Sequence, residues 1–256
     1  MKNLEMRQQS AMESENCCRK SGNMGLLKKY SLLVLTGLLW TSTAWGQQLF
    51  GDNIYGSAVA CGGNHYSKKG STKHGYDLTG KTADSCKYGS ANAASKAQIG
   101  PPVISASTTA ISKKGGYSEG AGAAGSYDEA ILTPPKGFQR DSVQVVLQTT
   151  YQFDVTSTGL GSALYEICWT ITDITQHCVD ATSGNGRPKL HMGFKVPGSG
   201  SSFQFQLAIT GEADGIFLGS ASFKTFDVAL LLPTGWTYAW ASDSDGYGHH
   251  TSSQPE

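Results

Sequence analysis

The chain has 256 residues and a mass of 27.1 kDa, enough for one sizeable hydrophobic core. Twenty basic and twenty acidic side chains cancel, so no global basic field draws nucleic acid or an anionic membrane. Glycine is abundant, at 32 residues, yet glycine with the 8 prolines stays below the share that marks a wholly disordered chain.

The first element is a secretory signal within residues 1–46. Lys28 and Lys29 form the positive n-region, and Leu32, Leu33, Val34, Leu35, Leu38, Leu39 and Trp40 form a short apolar run. Ala44-Trp45-Gly46 then puts small residues where a signal peptidase cuts. The run is too short to span a bilayer core of about 30 Å. Met24 is an alternative start, because the polar Met1–Asn23 stretch precedes the signal awkwardly. Cleavage leaves residues 47–256, with 14 basic and 17 acidic side chains and no membrane anchor. No lipobox cysteine follows the apolar run, since Cys61 comes too late.

Four cysteines remain after cleavage: Cys61, Cys86, Cys168 and Cys178. An even count in an exported chain predicts disulfides, and four cysteines allow three pairings. Local pairing, Cys61–Cys86 and Cys168–Cys178, is the simplest and would contribute roughly 3.5 and 2.7 kcal/mol by loop entropy. The rival is a zinc site from Cys61, His65, His74 and Cys86, whose spacings match no zinc motif. The site reading therefore carries no metal and no cofactor.

Residues 47–100 are rich in Gly, Ser, Ala, Lys and Asn and show no sustained period. They read as a loop-rich, disulfide-stapled segment with short strands at most. Val103, Ile104, Thr108, Thr109 and Ile111 mark the first strand of substance, and the stretch 115–125 reads again as a Gly/Ala-rich loop.

From Asp128 onward the texture is alternation. Val143, Val145, Leu147, Tyr151, Phe153 and Val155 share one parity against Gln144, Gln148, Gln152 and Asp154, with Val146 and Thr149 as the exceptions. The same period recurs at Tyr165–Ile171, Leu190–Val196 and Phe203–Ile209. It recurs again in the set Phe226, Val228, Leu230 and Leu232, and in Trp236, Tyr238 and Trp240. Turn residues separate these runs. The fold class is all-β: a two-layer antiparallel β-sandwich of the jelly-roll or Ig-like kind over residues 101–242, with a flexible tail at 243–256. Cys168 lies opposite in parity to Ile167 and Trp169, so its bridge to Cys178 belongs on the outer face of a hairpin.

Catalytic motifs lack their context. Gly116-Tyr117-Ser118-Glu119-Gly120 matches a nucleophile elbow, but no helix start follows. Gly120–Gly125 matches a dinucleotide fingerprint without a βαβ unit. Asp243-Ser244-Asp245-Gly246 resembles part of a calcium loop but lacks its first and twelfth positions. His249-His250 reads as a solvated pair. No carboxylate pair suggests acid/base work. Trp236, Tyr238 and Trp240 project to one side of a strand, where they either seal the core or form a platform on which sugars stack.

The Ser/Ala/Gly-rich stretch 104–125 and Gly125-Ser126-Tyr127-Asp128-Glu129-Ala130-Ile131-Leu132 resemble exported bacterial PEP-CTERM-type proteins. So do Tyr151-Gln152-Phe153-Asp154 and Leu231-Leu232-Pro233-Thr234-Gly235-Trp236. The resemblance implies a secreted sandwich at the cell surface or in the extracellular matrix. It supplies no functional residue, and the terminal sorting tail of such proteins is absent here. The expectation is a secreted, periplasmic or cell-surface protein with a non-enzymatic structural or surface-interaction role. Its partners would be glycans or other surface components, not nucleic acid. The rivals are a carbohydrate-binding module and a glycan-acting hydrolase.

Overall fold

Long alternating segments build long strands, and in the computed structural model they close into two facing sheets. The structure describes residues 50–244 apart from 71–76, 114–115 and 199. The signal segment, His74, His249, His250 and nearly all of the 243–256 tail lie outside the described residues.

Among the described residues there are fourteen strands and one helical turn. The first seven are β1 (Gly51–Val59), β2 (Asn64–Lys69), β3 (Leu78–Cys86), β4 (Gly89–Gln98), β5 (Val103–Ser112), β6 (Glu119–Thr133) and β7 (Ser142–Ser157). There follow β8 (Ser162–Ile171), β9 (Thr175–Ala181), β10 (Gly184–Gly186), β11 (Lys189–Pro197), β12 (Phe203–Ile216), β13 (Leu218–Leu231) and β14 (Thr237–Trp240). The turn α1 (Ala241–Ser244) follows. One sheet runs β2-β1-β6-β12-β8-β9, with β14 beside β1 on β6. The other runs β10-β7-β13-β5-β4-β3, with β11 beside β10 on β7. All pairings are antiparallel. No helix of the described residues is long and apolar enough to cross a membrane.

The sandwich begins well before residue 101. β1 to β4 are built into both sheets, within one compact unit, so residues 51–98 are not a loop-rich appendage. The stretch 119–125 is likewise strand, the first half of β6. Sequence pattern missed both because their inward residues are small. Ala91, Ala93 and Ala97 of β4 and Ala106 and Ala110 of β5 are buried, facing Gly120, Gly122 and Ala124 of β6. A Cβ added to Gly122 would sit 3.2 Å from the Ala94 carbonyl oxygen. Small side chains let the sheets approach closely here, and alanine alternating with serine leaves almost no hydrophobic signal.

Tyr66 closes this end. Its ring lies over Gly56 and Gly80, where any Cβ would overlap it. Its hydroxyl donates to Ser95 Oγ at 2.7 Å, and Ser95 Oγ donates to the Tyr55 carbonyl at 3.1 Å.

The other end is filled by aromatics. Trp169, Tyr151, Phe153, Tyr165 and Phe223 form a continuous seam with centroid spacings of 4.8–6.5 Å. Trp169 is fully buried. Thr149, the polar exception on the inward parity of β7, is also fully buried, and its hydroxyl donates to the Phe226 carbonyl at 3.2 Å.

Both cysteine pairs form as expected from local pairing. Cys168 and Cys178 are direct partners in the β8–β9 register, joined through a turn at Asp173, whose φ is 61°. Cys61 and Cys86 staple the β1–β2 loop to the end of β3, with 6.1 Å between Cα atoms. This pairing also sets aside the zinc alternative, because both thiols are consumed. Beside it, Asp84 Oδ2 accepts four consecutive backbone N–H groups, from Ala60, Cys61, Gly62 and Gly63, at 2.7–2.9 Å. Those bonds hold the Asp84 carboxyl far below the usual carboxylate range. Reduction of both disulfides is expected to lower unfolding stability by up to about 6 kcal/mol, the sum of the two loop-entropy contributions, read as the urea midpoint with and without reductant. An unchanged midpoint would show that the Asp84 clasp alone holds this end.

Candidate functional site

The inward set of β13 slips by one residue. Ala221, Phe223 and Thr225 point inward, and then Val228 and Leu230 do. Between Phe226 and Ala229 the register against β7 shifts, so Asp227 and Val228 together oppose Thr149. Asp227 takes the left-handed conformation that this bulge needs, with φ of 54°. One extra residue reverses parity, so Phe226 is turned to the outer face. This corrects the sequence expectation that Phe226 shares a side with Val228 and Leu230.

The bulge also opens a groove. Pairing of β5 with β13 ends at Ser105–Lys224. Beyond it the Thr225 hydroxyl takes over the ladder, accepting from the Ile104 N–H at 2.9 Å and donating to the Ile104 carbonyl at 3.3 Å. The strands part there, leaving a groove of about 400 Å³ lined by Gln98, Pro101, Val103, Gln148, Phe226 and Asp227. The Arg187 guanidinium carbon stands 4.3 Å from the Phe226 ring centroid, and Lys224 Nζ stands 5.9 Å from it. Gln148 Oε1 and His191 Nε2 are 3.3 Å apart beside the groove. A stacked guanidinium, an aromatic face and convergent amide and imidazole groups form a polar site on a rigid sheet.

Of the two roles open to the aromatic trio, core seal or sugar platform, the structure shows the first. Trp236 and Trp240 are buried, at 5% exposure each, and Tyr238 is half-buried and packed on the core. Trp236 meets Phe138 edge to face at 5.2 Å, and Tyr238 meets Trp240 likewise at 6.0 Å. The short β14 is covered because it fills the half of the β6 edge that β1 leaves open.

Ser118 of the elbow motif is fully buried at the start of β6. Its hydroxyl shares a 2.7 Å bond with Ser112 Oγ and lies 3.2 Å from the Phe217 carbonyl. It is a structural serine. The Gly120–Gly125 run is strand rather than a phosphate-binding turn.

A second constellation is internal. Asp52 of β1 and Asp128 of β6 point into the sandwich, at 2% and 0% exposure. Asp128 accepts from the Glu129 N–H at 2.8 Å, the Ser242 N–H at 3.3 Å and the Ser242 hydroxyl. Among the described residues neither carboxylate oxygen of Asp52 meets a hydrogen-bond donor in good geometry. Ser126, beside it in register, gives its proton to the Gln98 carbonyl at 2.6 Å. Burial pushes Asp52 up to about 8, helped by the charges of Asp77 and Asp128. Burial also pushes Asp128 up to about 6, against the pull of its Ser242 and Glu129 donors. Sequence pattern missed this pair because an inward aspartate looks like any polar residue in a Gly/Ser strand.

No family model matches the sequence, and no curated protein matches it. Among solved structures the chain is similar to TmCBM61, a carbohydrate-binding module in complex with β-1,4-galactotriose. The identity is 8% over 62% of this chain and 91% of that one, with a TM-score of 0.26. It is also similar to a structure of infectious bursal disease virus, Gx strain, at 11% identity over 76% of this chain and 75% of that one, with a TM-score of 0.13. At those scores neither likeness carries an argument about ligand or assembly.

Proposed function

We propose that this is an exported, non-catalytic surface-interaction protein that holds a glycan in the groove beside the β13 bulge. The observation that carries the reading is Phe226. A bulge turns it out of the core, Arg187 stacks on its ring, and Gln148, which bonds His191, lines the same groove. Sugars present apolar ring faces edged with hydroxyls, and this combination of aromatic face, guanidinium and amide suits both. Export is supported by the signal pattern of residues 24–46 and by two disulfides, which persist in oxidising compartments. Where the structure brings carboxylates together, they stand side by side on one sheet, as Glu166 and Glu212 do, which gives hydrolysis no support.

The test is a glycan array probed with the purified chain, both disulfides formed. The wild type is expected to bind, and Phe226→Ala to weaken binding about tenfold while leaving the fold intact, since a stacked aromatic is worth about 1–1.5 kcal/mol. Trp240→Ala is expected to lower stability instead, because its ring is core. Retained affinity in Phe226→Ala, or no binding by the wild type, overturns the reading.

A further inference from the structure

The formal charge of zero conceals a separation by face. On the outer face of the β6/β12 sheet, Asp180, Glu166 and Glu212 stand directly opposite one another across β9, β8 and β12. Glu119, Glu129 and Asp214 share that face, where the register also places the cation Lys69, opposite Asn53. The outer face of the β7/β13 sheet has the opposite sign. Lys96 of β4 and Lys224 of β13 lie in one register row through Ser105 of β5, two strands and so about 10 Å apart. Lys96 is two residues from Gln98 and Lys224 two from Phe226, so the row borders the groove. Arg187 covers Phe226, and Lys189 stands opposite Thr150 on β11. All four cations are exposed. Among the described residues, Asp227 at the bulge and Asp154 one row away are acids of this face.

We infer that the groove takes an anionic glycan, a chain of uronate or sulfated sugars. This rests on the glycan reading above and adds its charge class. A polyanion approaching the molecule is repelled by one face and drawn to the other, which orients it onto the groove before contact. Lys96, Lys224 and Arg187 then meet acidic groups, while Gln98, Gln148 and His191 meet hydroxyls.

The purified chain, both disulfides formed, is titrated with polygalacturonate and with fully methyl-esterified polygalacturonate, which keeps the backbone and removes the charge. The acidic polymer is expected to bind at least about tenfold more tightly, and the difference to shrink between about 50 mM and about 500 mM NaCl. Lys96→Gln with Lys224→Gln is expected to lower that affinity about tenfold with an unchanged unfolding midpoint, because both side chains are exposed. Glu166→Gln with Asp180→Asn, on the opposite face, is expected to leave it unchanged. Equal affinity for the two polymers overturns the inference while glycan binding stands. Binding only to neutral glycans on the array does the same. No binding to any glycan removes the underlying reading as well. Duplex DNA bound as tightly as polygalacturonate also overturns the inference, by showing a surface that reads charge alone.

Discussion

Stability is expected to fall as the pH rises from about 4 to about 8, and Asp52 is the cause. In the unfolded chain its carboxyl titrates near 3.8; in the fold it is pushed up to about 8. Between those values the folded state keeps a proton that the unfolded state has released. The stabilisation is therefore complete at low pH and is lost as pH rises through the folded value. The slope is about 1.4 kcal/mol per pH unit, so the loss is at most about 6 kcal/mol. Asp128, pushed up to about 6, adds to the slope over the lower part of the window. Asp84 acts in the opposite sense below it. Its depressed carboxyl contributes stability above the unfolded value, and that is lost as pH falls. Urea unfolding at several pH values between about 4 and 9 measures the profile. Asp52→Asn keeps the shape without the charge, so it is expected to flatten the profile above about pH 6 and to raise stability at pH 8. A wild-type profile that is already flat over this window would mean that Asp52 ionises without cost.

Trp169→Ala is expected to cost about 4 kcal/mol, the middle of the range for emptying a buried aromatic site. The ring is fully buried and packs on Tyr151 at 5.4 Å, so its removal opens a cavity in the middle of the aromatic seam. Trp169→Phe is expected to cost less than half as much. The indole Nε1 has no hydrogen-bond partner among the described residues, so phenylalanine gives up ring area but no bond. Denaturant midpoints of the two variants make the comparison. Equal losses would show that the N–H has a partner in solution.

The second half of the chain was legible because its side chains are large. Val143 to Val155 and Leu190 to Val196 alternate between apolar and polar, and the structure makes them β7 and β11. Local cysteine pairing was legible too, because Cys168 and Cys178 flank a short turn. The first half was opaque for the opposite reason. In β4 and β6 the inward residues are alanine and glycine, whose burial gives a weak hydrophobic signal, so strands looked like loops. The bulge left a trace in the slip from Ala221, Phe223 and Thr225 to Val228 and Leu230. Only the register against β7 turns that slip into an outward Phe226. The burial of Trp236 and Trp240 had no such trace, since an alternating aromatic run reads alike on a covered or an open strand.

Local alternation by itself determined that this is an antiparallel sandwich, because a period of two is a property of each strand alone. Tertiary structure decided which face each strand shows to water. That choice depends on which strands pair, where the ladder slips and what covers the edge, and all three join residues far apart in the chain. Lys96 and Lys224 are 128 positions apart and share a row only because β5 lies between their strands.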